Sequence, residues 1–344
     1  MRKHTILCLY QNPAQFDAPA SNATTPSQGE SQSEAQNAKL LAVHSTLRLW
    51  GESYVRCASE ADFRKRLEEA AARREECLIV MEGVREGLLS FVESFSDRVQ
   101  MRVLLVTADD AKHTAKDVEA TLGVNHFLSL AQGHLATTSL ISSVKKWTTR
   151  DVFGVEKYLT YGTPIHFFTL GRSNERTWLV ETLTDFVAGL DGVIPSGARD
   201  YGRMAGEVLD ELLMNAIWDA NPARAGMSRD QAVILKPSET VRVEWGVDGN
   251  LLAVSVTDPF GTIDRDSLKE YRHEVLNVPR KGTLKINTVG PGAGIGLHMV
   301  IRRVSGLVIN MNPGVSTEFV ALFDITRSPR YLSKGPKVFH FFSL

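Results

Sequence analysis

Hydrophobic residues in the first 147 positions gather into short continuous runs, separated by longer stretches with helical spacing. Residues 5–10, 77–81 (CLIVM), 101–107 (MRVLLVT) and 126–130 are apolar almost throughout. Such runs suit strands covered on both faces. Between them, residues 38–50 place Leu40, Leu41, Val43, Leu47 and Leu49 at helix-like intervals, and residues 61–73, 88–95, 111–122 and 139–147 also read as helices. Strands alternating with helices predict a doubly wound parallel sheet over residues 1–147. Residues 13–38 interrupt the pattern. They are rich in Ser, Gln, Ala, Asn and Pro, bury little apolar surface, and are expected to form a disordered loop.

Residues 148–163 read as a linker or a connecting helix, and a different pattern follows. A strand (165–170) and a helix (174–189) precede a helix over 200–220, where Leu209, Leu212, Leu213, Ala216, Ile217 and Ala220 form an apolar stripe. Residues 240–247 alternate, Asp248-Gly249 marks a hairpin turn, and residues 251–257 return as a strand ending at Asp258. Residues 263–289 are polar and charged, part helical (266–276) and part a candidate mobile lid. A glycine-rich loop, Gly290-Pro-Gly-Ala-Gly-Ile-Gly-Leu297, leads into an apolar helix (298–304), and 307–311 with 317–325 form a second hairpin around Asn312-Pro-Gly314. The expected fold class is α/β: an N-terminal doubly wound parallel sheet, then a C-terminal α/β sandwich with a mixed sheet over 164–344. The apolar tail, 337–344, is expected to dock as an extra strand rather than to bind a partner.

Composition narrows the function classes. A chain of 344 residues favours two domains, and a net charge of −1 gives no bulk attraction to nucleic acid or anionic membrane. No apolar run is long enough for a transmembrane helix, and the basic-then-apolar start lacks the core and cleavage site of a signal peptide. Cys8, Cys57 and Cys77 have no metal or redox spacing and read as buried thiols in a reducing cytoplasm.

Three features of the second half could carry chemistry. Glu211, Asn215 and Asp219 lie four apart and span roughly 80° beside the apolar stripe. They could rim a pocket or form a solvated face. Asp258 at a strand end could be a turn former, or could accept a hydrogen bond from an exocyclic amine. The glycines before the last helix could let backbone amides cradle a phosphate at a helix N-terminus, or could form a flexible linker.

The first half resembles the flavodoxin-like receiver domain of two-component response regulators. In that resemblance Glu82 stands where a phosphoacceptor Asp is expected, and Thr107 fits the Thr or Ser after the fourth strand. The acidic pair is missing from Leu9-Tyr10-Gln11-Asn12, and the lysine from Leu130-Ala131-Gln132. This implies a degenerate receiver used for docking or dimerisation. The second half resembles the gyrase, chaperone, histidine-kinase and mismatch-repair ATPase superfamily, the GHKL or Bergerat fold, over about residues 160–326. Four boxes in order carry the resemblance: Glu211-Leu-Leu-Met-Asn215-Ala-Ile-Trp-Asp219, Asp258 with its following loop, Gly292-Ala-Gly294-Ile-Gly296-Leu297, and Gly314-Val-Ser-Thr317-Glu-Phe319.

The resemblance implies ATP and Mg²⁺ as ligands. Asn215 would hold Mg²⁺, Asp258 the adenine amino group, Gly290, Gly292, Gly294 and Gly296 with Leu297 the phosphates, and Thr317 the base side. Glu211 would orient or activate the nucleophile, Asp219 would lie near sugar and phosphates, and Arg280 or Lys281 in the lid could reach the γ-phosphate. The second box departs from the family: Phe260 and Thr262 replace glycines, and Gly261 is displaced by one position. The layout is closest to the anti-sigma-factor serine kinases, which act on a protein partner. The alternatives are a non-catalytic partner-binding scaffold, and a histidine kinase or ATPase working with a phosphoacceptor domain in trans. A homodimer is compatible with each.

Overall fold

The computed structural model describes residues 4–10, 31–50, 54–96, 101–107, 112–121, 123–192, 194, 197–224, 227–263, 272–278, 295–332 and 337–344. The chain is mixed α/β and divides into two compact units, Met1–Thr149 and Arg150–Leu344.

The first unit contains strands β1 (His4–Leu9), β2 (Tyr54–Arg56), β3 (Glu76–Glu82), β4 (Met101–Thr107) and β5 (His126–Ser129). They lie in the order β2-β1-β3-β4-β5, all parallel. Cys8, Val80 and Leu104 fall in register across its centre, and all three are buried. Helices α1 (Ser31–Trp50), α2 (Glu60–Ala72), α3 (Glu86–Glu93), α4 (Ala115–Ala120) and α5 (His134–Thr149) connect the strands. Helix α1 touches α5 and α3 touches α4. The continuously buried strands β3 and β5 need cover on both faces, which is the doubly wound arrangement. Local signals set the helix starts: Ser59 caps α2 by accepting from the Asp62 amide, and Thr114 with Asp117 closes a capping box on α4.

The polar stretch 13–38 differs from expectation. Residues 11–30 lie outside the described residues, but Ser31–Trp50 is one helix, so its first turns come from the stretch read as disordered. Ala and Gln are good helix formers, and the apolar positions that follow carry the helix onto the core. The short strand β2 gives no periodic signal in three residues and was not foreseen. Helix α4 is shorter than the expected 111–122.

The second unit contains β6 (His166–Leu170), α6 (Glu175–Ala188), α7 (Ala198–Met214), β7 (Val241–Val247), β8 (Leu251–Asp258), α8 (Arg272–Val275), α9 (Ile295–Arg303), β9 (Gly306–Asn312), β10 (Ser316–Asp324), α10 (Pro329–Leu332) and β11 (Val338–Ser343). The strand order is β11-β9-β10-β8-β7-β6, antiparallel except where β11 runs parallel to β9. The apolar tail is thus a docked strand. Helices α6 and α7 pack closely because Gly202 and Gly206 face Val180, Thr184 and Ala188: a Cβ on Gly202 would come within 2.6 Å of the Thr184 carbonyl oxygen. Leu209, Leu212 and Leu213 of α7 are buried, each worth about 1.5–3 kcal/mol.

The sheet's two faces have different roles. Trp245 stacks on Phe168 at 4.7 Å and also meets Phe186 of α6, so its face is the helix side. Trp245 pairs with Val254, and Asp258 pairs with Thr317. The two-residue period of a strand puts Val254, Val256 and Asp258 on that same face, with Thr317 beside Asp258. The opposite face holds Glu318, fully buried, which accepts from the Gly154 amide at 3.1–3.2 Å and from Asn310 Nδ2 at 2.7 Å. The region expected as a linker, 148–163, is therefore packed: α5 runs to Thr149, and Val155 and Tyr158 in the turn that follows are buried. The second unit begins at Arg150 rather than at 164.

Candidate functional site

Helix α7 carries the first group of side chains and ends unusually. After Met214 the backbone widens into a π-helical turn over Asn215–Asp219, closed by the Ala220 amide donating to the Asn215 carbonyl at 2.8 Å. The regular 100° spacing read from the sequence therefore holds from Glu211 to Asn215 and fails from Asn215 to Asp219. Single π turns recur at functional sites because they re-aim the following side chains. Glu211 and Asn215 are half-buried, while Asp219 sits at the rim with about a third of its side chain exposed, 34 %. The turn also packs on β8, the strand that ends at Asp258.

Arg229 binds this group. Its Nη2 donates to Asp219 Oδ2, and its Nη1 lies 3.7 Å from Glu211 Oε1. The Arg229 side chain is 13 % exposed. Burial pushes the Glu211 carboxyl up from its usual range; Arg229 opposes the shift and the neighbouring Asp219 adds to it. Asp219 is pushed up by burial in the same way, against the pull of Arg229. One cation thus serves two partly desolvated carboxylates, and Glu211 Oε1 is buried without a hydrogen-bond partner among the described residues. Such an atom costs free energy unless something else supplies the contact.

Asp258 closes the site from the sheet. It is 2 % exposed, and burial raises its carboxyl to about 6 despite the Phe260 and Gly261 amides, which hold it down. The Phe260 amide donates to Asp258 Oδ1 at 2.9 Å. Next to Asp258, Thr317 is buried, and its hydroxyl and amide also hold the Asp258 carboxyl down. The loop after Asp258 turns at Gly261, which has φ +62° and accepts from the Gly314 amide. A Cβ there would meet the Asn312 carbonyl and lie 2.5 and 2.6 Å from the Gly314 and Val315 nitrogens. Gly261, read from sequence as a displaced family glycine, is thus required where it stands. Thr262 Oγ1 then donates to the Ala220 carbonyl at 2.6 Å, tying the loop to the π turn.

The glycine-rich loop meets the site through its last member. Gly296 lies in the first turn of α9, and a Cβ placed on it would fall inside the Glu211 carboxylate. Helix α9 packs on α7, and Leu297 is buried. The structure therefore brings Gly296 against Glu211 from a separate segment and joins Glu211 to Asp219 through Arg229, with Asn215 on the turn between the two carboxylates; Asp258, Gly261 and Thr317 form a second group, tied to that turn through Thr262. Gly290, Gly292, Gly294, Arg280 and Lys281 lie outside the described residues, as does most of the expected lid; of its helical part, Arg272–Val275 is described as helix. Arg229 and the Thr262 tie were missed. Both lie in loops, where no hydrophobic period marks a position as buried.

No protein-family model matches this chain, and no curated protein matches it in sequence.

The first unit was also expected to carry relics of a phosphorylation site. Glu82 and Thr107 are buried at the ends of neighbouring strands β3 and β4, and Tyr10 is buried just beyond the end of β1. Among the described residues no cluster of three or more His, Cys, Asp or Glu side chains could hold a metal in either unit. The three cysteines are buried and free, and no described helix is long and apolar enough to cross a membrane.

Proposed function

We propose that the second unit binds Mg-ATP in a GHKL-type pocket, in a signalling protein that phosphorylates or switches a protein partner. The carrying observation is the approach of Gly296 to the Glu211 carboxylate. Two boxes 85 positions apart meet there with no room for a side chain. Glu211 Oε1, buried and without a hydrogen-bond partner among the described residues, fits a site whose remaining contacts come from a ligand. The strand order and the pairing of Asp258 with Thr317 fit a base pocket on the helix side of the sheet, and Gly296 at the start of α9 fits a phosphate end.

A magnesium ion suits this reading because it takes few protein ligands and completes its shell with phosphate and water. By the resemblance Asn215, half-buried at the start of the π turn, would hold it. The bound ion would neutralise phosphate charge. The chain's own contribution is placement: Asp258 and Thr317 orient the base, Gly296 lets the backbone approach, and Glu211 stands beside the phosphate end as the orienting or activating carboxylate. The parallel order β2-β1-β3-β4-β5 supports a receiver-like first unit. With Glu82 as its only acid among these strand-end positions, docking or dimerisation suits it better than phosphorylation.

A second reading, a partner-binding scaffold with a degenerate nucleotide site, is favoured by the loop after Asp258. Phe260 sits where the family has glycine, and its amide already occupies one Asp258 oxygen. Calorimetric titration of MgATP into the full chain separates the two. Binding supports the pocket, and no binding by a folded protein supports the scaffold.

A further inference from the structure

Arg229 has no place in the sequence boxes, yet it forms an ion pair with Glu211, at the proposed phosphate end. It lies in the loop between the π turn and β7 and reaches back to two carboxylates on different turns of the same helix. Its Nε is buried and makes no hydrogen bond among the described residues, so the guanidinium fork is only partly used there. Its longer contact, 3.7 Å to Glu211, is an ion pair without a hydrogen bond. Glu211 in turn lies against Gly296 in the first turn of α9, where the helix dipole favours a negative group. A carboxylate of the chain thus occupies the place that suits an anion, beside an arginine hydrogen-bonded to Asp219 and paired at longer range with Glu211.

We propose that Arg229 recognises the terminal phosphate of a nucleoside triphosphate, and that its pairing with Glu211 and Asp219 is its resting position in the ligand-free protein. The inference rests on the nucleotide reading above. A guanidinium matches the geometry of phosphate oxygens through two parallel N–H donors, and phosphate offers it more charge than either carboxylate. Asp219 acts as the competing anion, so its strength sets how readily Arg229 is released. The site would then discriminate triphosphate from diphosphate through a residue outside the glycine loop.

The test is calorimetric titration of MgATP and MgADP into the full-length protein and two variants. Wild type should bind MgATP more tightly than MgADP. Arg229→Gln should weaken MgATP about tenfold or more and leave MgADP within about twofold, as expected for loss of a charge-assisted phosphate contact. Asp219→Asn, which keeps the arginine and removes its closest partner, should instead tighten MgATP several-fold over MgADP; it decides the matter if Arg229→Gln does not fold. Equal weakening of both nucleotides in Arg229→Gln, or no preference gained in Asp219→Asn, overturns the role of Arg229 while leaving the nucleotide site intact. A folded wild type that binds neither nucleotide overturns both.

Discussion

The strand ends of the two units make opposite uses of charge. In the first unit Tyr10, Glu82 and Thr107 are buried at or just beyond the ends of β1, β3 and β4, with a single carboxylate among them. In the second, Asp258 at the end of β8 and Glu211 and Asp219 on the adjoining helix all have carboxyls raised by burial, and one arginine serves the helix pair. Holding acids in a state that burial disfavours costs stability. Perturbed acids cluster at functional sites more often than elsewhere. Under the proposed function the second unit would carry the ligand chemistry and the first surface recognition.

The sharpest break of that contrast is Glu211→Ala. Turnover of ATP, measured as phosphate release or transfer to a partner, should fall about 100-fold or more, as for loss of a general base or orienting group. MgATP affinity should remain. Turnover that survives this change would remove Glu211 from the chemistry.

A glycine pair sharpens the contrast at the level of stability. Gly261→Ala forces a Cβ against backbone atoms of the β9–β10 turn at a positive φ, and should cost about 2–4 kcal/mol in denaturant unfolding. Gly87→Ala, in α3 of the first unit, meets nothing within 4 Å and should be neutral or stabilising by up to about 1 kcal/mol. Equal effects would mean that the Gly261 turn yields easily and does not fix the site.

The smallest expected effect is in the pH dependence. The Asp258 carboxyl is raised to about 6, above its unfolded value of about 3.9. Between those values the folded protein holds more protons than the unfolded chain. The Asp258 contribution to stability is thus complete below about pH 4 and is lost as pH rises through about 6, a span of about 2–3 kcal/mol. Nucleotide affinity should run the other way and weaken below about pH 6, as the ionised acceptor disappears. Asp258→Asn should flatten both profiles. Matching profiles in wild type and variant would show that Asp258 titrates in its ordinary range.

Much of the scaffold was legible because its signal is periodic. The continuous runs CLIVM and MRVLLVT became β3 and β4, and the stripe Leu209, Leu212, Leu213 became the buried face of α7. Gly249 at φ +90° and Gly314 at φ +72° stand at the two expected hairpin turns. What stayed hidden depends on tertiary contact. The π turn at Asn215–Asp219 follows from one shifted backbone bond, which leaves no compositional trace. Arg229 is buried by the carboxylates it reaches, and its own neighbours in the chain are polar. Val155 and Tyr158 lie too close together in a short turn to show a period, so their packing against the sheet read as a linker.

The most direct measurement is the titration of MgATP into the full chain, with Asn215→Ala beside it. Micromolar binding by the wild type that is lost in the variant is the expected result, and places the nucleotide between α7, the Asp258 loop and α9. A folded wild type that takes up no MgATP, or an Asn215→Ala variant that binds as well as wild type, would contradict the site.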